Sequence, residues 1–166
     1  MKLIESDSSL SATCRAVEVR LAGVGDLAGL ELPVVLLPDF EDVPEAKRSV
    51  AIRRTPAAYR PSEGKIFVNQ ARFSLLPADV AEAVIAHEIG HAVSHRDSLA
   101  QKYPELSDCM VADLLACRWS FFEGLRKERF ESNGQKYCEL LDLWSDESKY
   151  VRGMAVYYQR RLAGLE

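Results

Sequence analysis

A chain of 166 residues fits one domain and is long enough to bury a real core without disulfides or a second domain. With 48% hydrophobic and 28% charged residues it has the balance of an ordinary soluble globular protein, and its net charge of -4 is spread along the chain. The interspersed signs speak against a nucleic-acid partner, which normally meets clustered Lys and Arg. Cys14, Cys109, Cys117 and Cys138 form no CxxC pair, and the first fourteen residues lack the apolar run of a signal peptide. No stretch approaches the roughly 18 apolar residues of a membrane span. The expected setting is therefore cytoplasmic, with free thiols and no membrane partner.

Residues 8–21 place Leu10, Cys14, Val17 and Leu21 at helical spacing, with Ser residues before them to cap the start. The glycine-rich link at 23–29 has neither the preceding strand nor the GK[ST] ending of a phosphate-binding loop. Pro33 to Pro38 brackets a short apolar run suited to a buried strand, residues 39–47 form an acidic loop, and 49–54 and 64–69 suit two further strands. Residues 55–64 between them carry the turn chemistry to reverse the chain, so the expected product is a small, mostly antiparallel sheet, with 66–68 near an edge that could align an extended peptide.

From Pro77 the pattern turns helical, with Val80, Val84, Ile85, Ile89 and Val93 in register. After a polar connection at 96–103, a second helix is expected from Pro104 or Ser107 to about Phe130. Its apolar face would include Met110, Val111, Leu114, Leu115, Phe121, Phe122 and Leu125. Ser132 to Gly134 should break it. Two more helices follow at about 135–144 and 146–165, the latter capped by Ser145, with a stripe of Tyr150, Val151, Met154, Tyr157, Tyr158, Leu162 and Leu165 that reads as packed core, with a partner-binding face as the alternative.

The first of the long helices carries Ala86-His87-Glu88-Ile89-Gly90-His91, an HExxH pattern. Two histidines four apart lie on one face, about 6 Å apart along the axis, and both can reach one Zn2+ ion. Glu88 is turned about 100° from His87, so it borders the metal without joining the ligands, where it can take a proton from water as general base and return it as acid. His95 continues the four-residue spacing but stands about 12 Å of axial rise from His87, too far to share the ion. It reads as a histidine favoured near a helix C-terminus.

A catalytic zinc usually has three protein ligands, so a third must come from elsewhere. His87-Glu88-Ile89-Gly90-His91, with Ala112-Asp113 and Leu115-Ala116 on a later helix and Lys65 to Asn69 on a preceding strand, resembles the compact gluzincin metallopeptidases, including the ImmA/IrrE-like proteins. The resemblance covers about residues 65–119. It implies a third ligand four residues before Asp113, normally glutamate; here that position is Cys109, and thiolate is a good zinc ligand. Asp113 would match the acid that orients a ligand histidine. Asp108, adjacent in sequence, is the alternative metal ligand. Peptide deformylases also combine HExxH with a cysteine, but theirs precedes the motif, and no cysteine lies between 29 and 87 here.

The resemblance thus implies a single zincin-like α+β domain over residues 1–166, with mixed helix and sheet to residue 76 and a helical part holding the metal site from 77 onward. The expected activity is zinc-dependent hydrolysis of a peptide bond in a protein or peptide substrate, with a regulatory protein as a second candidate partner. The rival is a noncatalytic, metal-stabilised binding module, since thiolate in place of carboxylate leaves zinc a weaker Lewis acid. Tyr137, Tyr150, Arg152, Tyr157 and Tyr158 are the side chains from which an oxyanion donor would be drawn, although each reads first as packing or surface.

Overall fold

The computed structural model describes residues 1–37, 56–102, 104 and 107–127. Four strands, β1 (Lys2–Glu5), β2 (Glu31–Leu37), β3 (Ala57–Arg60) and β4 (Lys65–Asn69), form one sheet in the order β1-β2-β4-β3. β1 and β4 each run parallel to β2, and β3 runs antiparallel to β4. The expectation of a mostly antiparallel sheet is corrected to a mixed one. The connections explain it: between β1 and β2 the chain forms the helix α1 (Ser11–Arg20), long enough to carry it back across the sheet. Among the described connections, that between β3 and β4 is a tight turn, at 61–64, ending on Gly64 in the left-handed region with φ 64°.

Two strands escape the sequence pattern. β1 buries Leu3 alone, and β3 occupies residues expected to form only a turn. Both are four-residue strands at the ends of the sheet, too short for a readable alternation. β4 lies inside the sheet, between β2 and β3, so among the described strands the edge belongs to β3 and not to residues 66–68. The strand expected at 49–54, the acidic loop and everything expected beyond residue 127 lie outside the described residues.

After the short helix α2 (Gln70–Phe73), the long helix α3 (Ala78–Asp97) begins directly behind Pro77, whose φ of -56° suits the entry to a helix. Its buried positions include every residue from Ala83 to Gly90, so it is enclosed all round rather than along one stripe. The sheet, α1 and the two later helices supply that enclosure. A motif placed on such a helix is carried into the interior by the packing of its neighbours. Ser98, with φ 54°, ends the helix, and the short α4 (Leu99–Lys102) occupies part of the stretch expected to be only a polar connection.

The second long helix is two. Ser107 caps α5 (Asp108–Arg118), its hydroxyl accepting from the Met110 N–H at 3.2 Å, and the chain then turns at Ser120, with φ 71°, before α6 (Phe122–Lys127). The Phe121 N–H donates back to the Ala116 carbonyl at 3.0 Å and closes the end of α5. A left-handed residue costs about 1–2 kcal/mol. Burying the Phe121 side chain, 1% exposed, contributes about 1.5–3 kcal/mol and outweighs that cost.

Arg20 ties these pieces together. Its guanidinium lies 3.9 Å over the Phe121 ring, donates to the Ser120 carbonyl at 2.5 Å, and pairs with Glu82 of α3 at 2.9 Å. The end of α1 therefore fixes the turn after α5 against the start of the HExxH helix.

Candidate metal centre

α3 and α5 approach closely where the site is built. A Cβ on Gly90 would stand 2.7 Å from the Ala112 carbonyl oxygen and 2.9 Å from its Cα, distances that backbone atoms cannot relieve without moving a helix. The missing side chain at Gly90 is what lets α5 lie against the two histidines. At that crossing the ligand atoms of His87, His91 and Cys109 all lie within 4.8 Å of one another.

The two imidazoles are held from behind. His87 Nδ1 is 2.7 Å from Asp113 Oδ1, and His91 Nδ1 is 2.9 Å from Asp108 Oδ2. With each Nδ1–H donated to a carboxylate, each Nε2 is left to face the other, 3.1 Å apart. Tetrahedral zinc with Zn–N of about 2.0–2.1 Å would separate two such nitrogens by about 3.3–3.4 Å, so the pair is set nearly as one ion requires. Two imidazole nitrogens and a thiolate also suit zinc by donor softness. The residues present fit the metal.

Asp108 does not stand among the three converging donors. Its second oxygen, Oδ1, accepts from Ser94 Oγ at 3.1 Å, and Ser94 is 1% exposed. A buried hydroxyl thus holds the carboxylate that holds His91. Ser94, three residues past His91 on the same helix face, was silent in the sequence because a serine in a helix has many uses; only its spacing from His91 pointed to it.

Electrostatics favour a thiolate among imidazoles. Hydrogen bonds from His87 and then His91 lower the Cys109 thiol to about 6, against the opposing effect of burial. Burial likewise opposes a charged His87, but the charge and hydrogen bond of Asp113, followed by Cys109 and Glu88, hold it up to about 10. For His91 burial is again the largest effect, and the Cys109 hydrogen bond with the charges of Glu88 and Asp108 raises it above the ordinary value even so.

Glu88, 7% exposed, stands outside the three converging donors, and its Oε2 accepts the Tyr59 main-chain N–H at 2.6 Å. His95 is exposed in the last turn of α3, with its ring 6.4 Å from that of Tyr59, and takes no place in the cluster. Cys14 sits in the core, and burial, with Glu5 and Glu18, pushes its thiol up to about 12. Among the described residues, no helix is long and apolar enough to cross a membrane.

One helix presents two histidines with a buried glutamate between them, a second brings a cysteine to the same point, and the three donors form a cluster that could hold a metal ion of the kind zinc hydrolases use. Residues 34–161 match the model of peptidase family M48, most of the chain, and the protein belongs to that family of zinc metallopeptidases. No curated protein and no solved structure matches it.

Proposed function

We propose that this single domain is a gluzincin-type zinc endopeptidase, akin to the ImmA/IrrE-like proteins, that cleaves a peptide bond in a cytoplasmic protein substrate. The observation that carries the reading is the convergence of His87, His91 and Cys109 beside a buried Glu88. His87, His91 and Cys109 would hold the metal, with Asp113 orienting His87 and Asp108 orienting His91. Zinc supplies a Lewis acid for the scissile carbonyl and lowers the pKa of water. Glu88 takes the proton of the attacking water and delivers it to the departing amine.

The identity of the third donor supports a second reading, a regulatory or binding module stabilised by metal, because a thiolate leaves zinc less acidic than a carboxylate does. A purely structural site has no use for a buried carboxylate beside its ligands, and Glu88 favours the enzyme. Glu88→Gln separates the two: the enzyme reading expects full zinc content and a rate lower by about 10²–10⁴. Cleavage that persists in Glu88→Gln, or that the zinc-loaded parent shows against no peptide, contradicts it.

A further inference from the structure

The register of β3 decides where its peptide groups point. Tyr59 stands opposite Ile66, and the Asn69 N–H donates to the Pro56 carbonyl at 2.9 Å. Hydrogen-bonded pairs in an antiparallel ladder alternate, so they fall at Pro56, Ala58 and Arg60, and the Tyr59 N–H faces away from β4. It faces α3, where it donates to Glu88 Oε2 at 2.6 Å, the short length of a charge-assisted bond. A main-chain donor in a sheet has no rotamer to lose, so Glu88 is restrained by a rigid partner. With Oε2 engaged, Oε1 is the oxygen left to exchange a proton.

We propose that the peptide N–H of Tyr59 positions Glu88 for proton transfer, making the edge strand β3 part of the catalytic apparatus through its backbone. The proposal rests on Glu88 being the general base. The helix alone sets only the Cα of Glu88; the strand sets the direction of its carboxylate. Carboxylate direction matters because a misplacement of about 1 Å can cost on the order of 100-fold in rate.

The test replaces Tyr59 by its α-hydroxy acid counterpart through nonsense suppression in the full chain, converting the N–H to an ester oxygen and keeping the side chain. With zinc loaded and a mixed-sequence peptide library as probe, metal content stays at one per chain and KM stays within about twofold, while kcat falls on the order of 10–100-fold. In the Glu88→Gln background the ester produces no further loss. Tyr59→Pro removes the same donor at an edge position whose N–H is not used by the sheet, and gives the same split. Independently of turnover, the ester lowers the denaturation midpoint of the metal-stripped protein by more than that of Glu88→Ala, where only the weakened Ala58 carbonyl in the β3–β4 ladder acts. An undiminished kcat in the ester variant, or equal falls of midpoint in both backgrounds, overturns the positioning role while leaving the peptidase reading intact. A zinc-loaded parent that cleaves nothing overturns both.

Discussion

His91 Nδ1 lies 2.9 Å from Asp108 Oδ2, while the other oxygen of Asp108 takes the hydroxyl of buried Ser94. Asp108 is therefore placed to orient His91, and in the proposed site it would act on the metal through that imidazole. Asp108→Ala is expected to retain one zinc per chain with affinity lowered about 10–100-fold, and Asp113→Asn should do the same through His87. Competition with a chromophoric chelator measures both. Complete loss of zinc in Asp108→Ala would place that carboxylate on the metal itself.

Gly90→Ala forces a methyl into the Ala112 backbone. Overpacking of this kind costs about 1–3 kcal/mol, and here the relief must come from separating α3 and α5, the two helices that bring the donors together. Denaturant unfolding should show that loss, and zinc affinity should fall with it. A variant as stable and as tightly loaded as the parent would show that the close approach is not needed.

Proton release on metal binding follows from the opposed shifts of His87 and Cys109. In metal-stripped protein His87 is raised, so its interactions contribute stability fully below its ordinary value of 6.5 and lose that contribution as pH rises through about 10. Near neutral pH it is protonated and must give up a proton to ligate zinc. Cys109, lowered to about 6, is already a thiolate and releases none. Below about 6 the thiol must also ionise, and affinity should fall more steeply with acid. Calorimetry in buffers of different ionisation enthalpy reads the protons directly; heats independent of buffer would contradict this picture.

The metal motif was open in the sequence because its chemistry is local. His87, Glu88 and His91 sit within five residues, and one helix suffices to relate them. Cys109 and Asp113 are legible only through the family resemblance, which implies a ligand four residues before an aspartate on a later helix, and the structure brings Cys109 to the histidines and Asp113 to His87. The role of Asp108 was not legible, since placing it one position around α5 from Cys109 says nothing of Ser94 waiting opposite. Gly90 is likewise unmarked within the motif, because its need arises only from the backbone of α5 lying against it. The split between α5 and α6 depends on the burial of Phe121 under Arg20, a contact across 101 positions that no periodicity within the helix records. Parallel pairing of β1, β2 and β4 is also a matter of chain connection rather than strand composition.

In the proposed site a thiolate from α5 completes the metal centre of the HExxH helix, and the spectrum of the cobalt-substituted protein reads that bond. One cobalt per chain is expected, with a sulfur-to-metal charge-transfer band that disappears in Cys109→Ser and persists in Asp108→Ala. A parent protein without that band, or a band that survives in Cys109→Ser, would contradict it.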